Sequence, residues 1–350
     1  MNPIFCVTGV SGQDGSYAAE ILLLANIKVI GLTRSKKKKY KNLLNCESNK
    51  NFILLETDYS ENSLKKLLKK YKVTNILNFC GQSYVSRSWE TLEETINSQS
   101  IIVSRFLNII SDISWEIKFI NAGSSEMFGE SIEKRDESSL KSPYNPYGCA
   151  QLLAYSLMNS FRNNQKLWIS TAILFPHESL RRSSDFLFMQ ILNQIDQIIL
   201  GKNKKISLGN PYVIRDWGSA PEYVYYIILM MMMDSPEDLC ISTGKGISVK
   251  EFVNYICLEY DLNLENIMYL EAKLTRRYEP FSIIGNNQKM LFTLGIEKPL
   301  SEKKMIKEII SIKKNCKKNN LKLDKVTDYL SNDRIIFIKE NSNKFLIKKP

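Results

Sequence analysis

Short apolar runs and amphipathic stretches alternate along the first half of the chain. Pro3 to Thr8 is an apolar run that predicts a strand, and Ser16 to Asn26 spaces its apolar residues as a helix does. Lys28 to Leu32 predicts a second strand and Phe52 to Glu56 a third, followed by a helix over 61–71. Asn75 to Phe79 predicts a fourth strand, Glu93 to Ser111 a long helix, and Ile117 to Ala122 a fifth strand. Helical spacing returns after Tyr147 as far as about Asn163, and Trp168 to Leu174 follows as a strand. This alternation predicts an α/β protein, a Rossmann-type parallel sheet with helices on both faces.

Beyond Leu174 the pattern loosens. Pro176, Pro211, Pro221, Pro236, Pro280 and Pro299 punctuate shorter pieces. The expected organisation is a first unit over 1–174, with returning segments near 212–245, and a smaller, discontinuous region over most of 175–300. A Lys- and Asn-rich extension over 301–350 completes it, with Arg334 to Ile338 read as a short strand and no function assigned. The longest apolar run, Val224 to Met233, is too short to cross a bilayer and predicts a core helix.

The first strand and helix are joined by Thr8-Gly9-x-x-Gly12-x-x-Gly15, with Gln13 and Asp14 inside the turn. Glycines at this spacing allow a tight turn, close approach of backbone to a pyrophosphate, and close packing of helix on strand. The helix dipole then favours the anion, so the turn predicts a dinucleotide site. An NAD site carries an acid at the end of the second strand, for the ribose 2′-hydroxyl. Here Leu32-Thr33-Arg34-Ser35-Lys36 has none, so Arg34 is assigned to a 2′-phosphate and the cofactor to NADP. The other reading of Arg34 is the start of a solvated basic loop.

Composition narrows the partners. The net charge is +11, but only 11 of the 48 basic residues are arginine. Lysines cluster at Lys36 to Lys41, Lys65 to Lys72 and Lys303 to Lys318, which read as solvated faces, so no nucleic-acid partner is expected. Such a surface still attracts anionic substrates. Seven cysteines without a CxxC pair read as reduced thiols of a cytoplasmic protein. The one histidine, His177, excludes a zinc site built on several, and no metal is expected. The N-terminus has no basic leader region, so neither a signal peptide nor a membrane partner is expected.

Several motifs, in order, resemble those of the GDP-mannose 4,6-dehydratases, a family of the short-chain dehydrogenase/reductase superfamily. They are Gly12-Gln13-Asp14-Gly15-Ser16-Tyr17, Asn78 with Gln82-Ser83, Ser124-Ser125-Glu126-Met127-Phe128-Gly129, and Asn145-Pro146-Tyr147. His177-Glu178-Ser179-x-Arg181-Arg182, Gly209-Asn210 with Arg215-Asp216-Trp217-Gly218, and Arg276-x-x-Glu279 follow, within about residues 3–300. The resemblance implies dehydration of GDP-mannose to the 4-keto-6-deoxy sugar with NADP retained. It implies that Tyr147 takes the C4 hydroxyl proton, Ser124 hydrogen-bonds that oxygen, and Glu126 takes the C5 proton and helps water leave C6. The carboxylate of such a base works best when burial raises its pKa. Taken alone, Glu126 also reads as an ordinary acid at a helix start capped by Ser124-Ser125. Asp58 and Tyr59 are implied at the adenine, and Cys80, Gln82, Ser83, His177 and Arg182 beside the cofactor. Ser88, Gln190, Gly209, Arg215, Arg276 and Glu279 are implied at the GDP-sugar, in the 175–300 region for all but Ser88. A homo-oligomer, dimer or tetramer, is also implied.

The chain departs from the pattern at one telling place. The superfamily has Tyr-x-x-x-Lys, and here Tyr147 is followed by Gln151 on the same helix face. A cation about 5 Å from a phenolate at an effective dielectric near 20 contributes on the order of 3 kcal/mol, about two pKa units. Gln151 keeps a hydrogen bond to the cofactor ribose but loses that field. Turnover is therefore expected to be about two orders of magnitude below that of a lysine enzyme. Pro176, Gln190, Glu94 and Ser35 also stand where the family has Asn, Lys, Tyr and Arg. These losses leave open a related GDP-hexose or GDP-heptose 4-dehydrogenase, epimerase or reductase, or a weakly active nucleotide-sugar-binding relative.

Overall fold

Period-two burial divides each early strand between two faces. In β1 (Ile4–Thr8), Phe5 and Val7 point to one side and Cys6 to the other, all fully buried. The computed structural model describes residues 2–113, 115–275 and 278–347. Its main sheet adds β2 (Lys28–Thr33), β3 (Phe52–Glu56), β4 (Asn75–Asn78), β5 (Lys118–Ser124), β6 (Ile169–Leu174) and the short strand Leu239–Ile241. All seven are parallel, in the order Leu239–Ile241, β6, β5, β4, β1, β2, β3. The chain winds outward from β1 one way, then returns to β4 and winds the other way. That reversal leaves a crevice at the carboxyl ends of β1 and β4. The expected doubly covered Rossmann-type sheet is what the fold shows.

Helices α1 (Gln13–Leu24) and α7 (Ala220–Met231) cover one face, and α7 is the expected apolar core helix. Helices α2 (Glu61–Tyr71), α4 (Ile102–Asp112) and α5 (Pro146–Gln165) cover the other. The expected long helix over Glu93 to Ser111 is interrupted. It runs as α3 (Leu92–Ile96), a π-helical turn Asn97–Ile101, and α4.

A second core gathers under α6 (Leu187–Ile199), α8 (Val249–Leu258) and the helix Glu302–Lys318. Small sheets flank it: Ile206–Leu208 pairs with Met268–Leu270, and Ile214–Arg215 lies between Ile247–Ser248 and Ser282–Ile283.

The C-terminal stretch packs rather than extends. Met305, Ile306, Ile309 and Ile310 complete the second core, while Val326, Leu330 and Phe345 join the first. Arg334 to Ile338 is not a strand but part of the helix Asn332–Glu340. Ile335 and Ile338 are buried while Ile336 and Phe337 are exposed, a three-residue repeat that only a helix presents to one face. Buried Lys118 donates to the Met231, Met233 and Lys344 carbonyls at 2.8–2.9 Å, tying β5 to the end of α7 and to the tail. Among the described residues no helix is long and apolar enough to cross a membrane.

Candidate active site

Gly9 follows β1 at φ +58°, and a Cβ there would stand 2.5 Å from the Phe79 carbonyl oxygen beyond β4. Only glycine tolerates both the backbone and the approach. A Cβ on Gly15 would collide with the Gly9 carbonyl, so the third glycine seats α1 on the turn. Gly12 precedes α1, and no side chain caps that helix. Its first-turn amides and positive dipole end are therefore available to an anion. They border a cavity of about 820 Å³ that continues past β2 to Arg34, Ser35 and Lys38. A second cavity of about 230 Å³ adjoins it, and Asp14, Phe79, Cys80, Gly81, Ser83 and Arg182 line both.

The inner cavity collects the chemistry. Ser124 ends β5, Glu126 sits in the 3-10 turn Ser125–Met127, and Tyr147 and Gln151 lie in the opening turns of α5. Asn145 organises them. Its Oδ1 accepts from the Gly148 amide at 2.8 Å, which caps α5, and its Nδ2 donates to Glu126 Oε2 at 2.8 Å. A Cβ on Gly148 would stand 2.5 Å from the Glu126 carbonyl oxygen, so this glycine lets α5 begin against the turn. Burial pushes the Tyr147 phenol above its ordinary value, and Glu126 adds to the rise; hydrogen bonds with Ser124 and Gln151 oppose it. Gln151 Nε2 donates to the Tyr147 hydroxyl at 3.3 Å.

His177 lines the inner cavity and reaches Asp14, which lines both. Its Nε2 lies 3.1 Å from Asp14 Oδ1, and its Nδ1 2.7 Å from the Phe175 carbonyl. Burial alone disfavours the imidazolium, but the Asp14 carboxylate outweighs it and raises the pKa above 6.5. Asp14 is correspondingly lowered: burial opposes ionisation, and the His177 charge overcomes it. On the far side Arg215 Nη2 meets Glu279 Oε1 at 3.2 Å, both on the cavity wall. Behind them Asp216 accepts from Thr243 N and Oγ1, Gly244 N and Gly285 N at 2.6–3.2 Å.

Most of the residues singled out in the sequence line the two cavities: the three glycines, Gln13, Asp14, Arg34, Tyr59, Cys80, Gln82 and Ser83, then Ser124, Glu126, Tyr147, Gln151, His177, Arg182, Arg215 and Glu279. The exceptions have other partners. The Thr8 hydroxyl donates to Asn78 Oδ1 at 2.6 Å behind the turn, and Asp58 accepts from Ser60 in an exposed turn before α2. Ser88 is fully buried and donates to the Val85 carbonyl, so it supports the wall without facing the cavity. Gln190 is exposed on α6 and donates to the Asp185 carbonyl, and Gly209 packs against the Leu274 backbone. Arg276 lies outside the described residues. Glu94, one of the departures, stands 3.8 Å from Arg34 on the outer cavity.

Three residues of the site carried no assignment in the sequence: Glu178 and Gln99 line the inner cavity, and Asn145 bonds Glu126. Asn145 had a usable signal, since Asn before Pro146 is a helix-start pattern. Glu178 is buried beside Arg182 (3.6 Å), and burial pushes its carboxyl up. Gln99 is buried on the π-helical turn and had no local signal.

Comparison with known proteins bears on this geometry. The family model described as GDP-mannose 4,6 dehydratase matches residues 6–309. The chain is 30% identical over 334 residues to GDP-mannose 4,6 dehydratase 2 of Caenorhabditis elegans, covering 87% of each chain. It is 36% identical over 259 residues to the human GDP-mannose 4,6 dehydratase, covering 71% of this chain and 69% of that one. Among solved structures, UDP-glucuronic acid 4-epimerase of Bacillus cereus, in complex with UDP-glucuronic acid and NAD, superposes with a TM-score of 0.79 at 19% identity. That match covers 89% of this chain and 99% of the other. The dTDP-glucose 4,6-dehydratase of Bacillus anthracis, in complex with NAD, gives 0.79 at 16%, covering 90% and 98%.

Proposed function

Because the chain belongs to the GDP-mannose 4,6-dehydratase family, within the extended short-chain dehydrogenase/reductase superfamily, we propose that it converts a GDP-hexose to the GDP-4-keto-6-deoxy sugar with NADP bound. The observation that carries this reading is that Ser124, Glu126 and Tyr147 line a cavity that adjoins the one at the glycine turn, with Asp14 on the wall of both.

The residues present fit a nicotinamide dinucleotide. Gly12 and the uncapped start of α1 form the pyrophosphate cradle. Gln82 Oε1 and Gln151 Oε1 are buried with no hydrogen-bond partner among the described residues, as acceptors awaiting a ligand donor are. Arg34 and Lys38 beyond β2 favour the 2′-phosphate form. When bound, the dinucleotide supplies a place for a hydride removed from C4 and returned at C6.

This chain's residues handle the protons. Tyr147 takes the C4 hydroxyl proton while Ser124 holds the same oxygen by a hydrogen bond. The C4 ketone acidifies the C5 proton. Glu126, oriented by Asn145, takes that proton and passes it to the departing C6 hydroxyl, which leaves as water; C5 then regains a proton, balanced by the one that Tyr147 took from the C4 hydroxyl and gives up again. Arg215, steadied by Glu279, meets the diphosphate with its guanidinium fork. With glutamine at 151 and a phenol pushed upward, the proton step at Tyr147 is slow, and turnover lies about two orders of magnitude below a lysine-bearing relative.

Mass spectrometry after incubation with GDP-mannose and NADP tests the reading. The expected product has lost one water, and Glu126→Gln abolishes it. Loss of two hydrogens would instead make the chain a dehydrogenase. An unchanged nucleotide, from protein that binds both ligands, would make it a binding relative.

A further inference from the structure

The hydrogen bonds around Gln151 have a fixed direction. The Gln82 backbone carbonyl can only accept, and Gln99 Nε2 donates to it at 2.6 Å. Gln99 must therefore turn its Oε1 the other way, toward Gln151, whose Nε2 donates to it at 2.7 Å. The same Nε2 group donates to the Tyr147 hydroxyl at 3.3 Å. Both amide protons of Gln151 are thus committed, and its Oε1 is left buried and without a partner among the described residues.

The fold makes room for this chain of amides. Gln99 lies on the π-helical turn Asn97–Ile101, the kind of helix interruption that recurs at functional sites. The adjacent Ser100 hydroxyl donates to the Ala150 carbonyl at 2.7 Å, clamping the turn to α5 beside Gln151. A Cβ on Gly81 would collide with the Gln99 amide, so that glycine keeps the place open. Gln99 and Gln151 both line the inner cavity with Ser124 and Tyr147.

We propose that Gln99 is a positioning residue that fixes which end of the Gln151 amide faces the bound dinucleotide, so that this centre accepts a hydrogen bond from the cofactor where a lysine donates one. This rests on the cofactor reading above. A lysine ammonium has donors only, whereas the orphan Gln151 Oε1 has only lone pairs to offer. A ribose hydroxyl meeting it must donate. Were Gln99 unable to accept, the Gln151 amide would be free to rotate, and the hydrogen bond to the cofactor and that to Tyr147 would compete for the same end.

The test is a double-mutant cycle read by NADP and GDP affinity, from fluorescence or calorimetric titration. Gln99→Leu, Gln151→Leu and the double variant are compared with the unchanged protein. If Gln99→Leu does not fold, Gln99→Met, unbranched and of similar length, takes its place. The expected result is that losing Gln99 weakens NADP about tenfold when Gln151 is present and less than twofold when it is already leucine, with GDP affinity unchanged throughout. Equal losses in both backgrounds, no loss in either, or parallel weakening of GDP would overturn the proposal while leaving the cofactor reading intact. An unchanged protein that binds neither NADP nor NAD would overturn that reading, and this inference with it.

Discussion

His177 and Asp14 set a charge balance at the mouth of the pyrophosphate cradle. Asp14 is an acid in the first turn of α1, where an incoming anion would meet it. With His177 protonated the pair is neutral; with His177 neutral it carries a full negative charge beside the cradle. The folded pKa of His177 is raised, so the stabilisation it gives is complete below 6.5 and is lost as pH rises through the higher folded value. Asp14 is lowered, so its share is present above 3.8 and is lost as pH falls through the lower folded value. NADP affinity should therefore hold near pH 6 and decline on the alkaline side of 6.5, a decline that titration of His177→Gln would not show. A pH-independent affinity in the unchanged protein would contradict the pairing. Ser124, Glu126 and Tyr147 were legible in the sequence because each stands in a short local motif. Gln99 was not, because its meaning lies in a contact with Gln151, 52 residues on, and in the backbone of a loop before it. Ser88 and Gln190 lie off the cavity walls for a related reason: a motif gives residue order, while the direction of a side chain depends on which carbonyl it finds.

At the scale of elements, Asp216 is the knot behind the wall that carries Arg215. Its four donors come from Thr243, Gly244 and Gly285, so one carboxylate joins the strand carrying Arg215 to two separate turns. Asp216→Asn would turn an amide toward backbone N–H groups that need an acceptor. It should cost about 1–3 kcal/mol for the donors left unpaired. Because Arg215 is next in sequence, GDP affinity should fall while NADP affinity stays within twofold, which urea unfolding and paired titrations would separate. An unaltered GDP affinity would mean that Arg215 keeps its place without the Asp216 bonds, through Glu279 and the Ile214 and Phe281 carbonyls. Strand–helix alternation made the first half readable, since each element there has one clear period. The π-helical turn escaped because an extra residue in one turn leaves the apolar pattern on either side intact. The helix Asn332–Glu340 was read as a strand because Ile335-Ile336-Phe337-Ile338 is a continuous apolar run, which shows no period at all.

Over the whole molecule, the C-terminal stretch is bound to the helix after the glycine turn through a cluster of buried charges. Arg181, with a fully buried side chain, bonds Glu20 of α1 and both the side chain and the carbonyl of Asp324. Asp324 also accepts from Tyr17, 307 positions away, and Glu20 accepts from the Val326 amide. The next links reach the site: Ser179 Oγ donates to Gln13 Oε1 at 2.9 Å, and Gln13 Nε2 to the His177 carbonyl. No local pattern could have announced pairs this distant, and the lysine clusters pointed only to solvated faces. Asp324→Ala would leave Arg181 and Tyr17 buried with a partner missing, a defect worth about 3–5 kcal/mol in urea unfolding. NADP affinity should weaken with it, because the loop carrying His177 and Arg182 is anchored by Arg181. Asp333→Ala, an exposed acid on the same stretch, should change stability by less than about 0.5 kcal/mol and leave NADP binding alone. If the two variants behaved alike, the tail would be resting on the protein's surface and not holding its glycine turn in place.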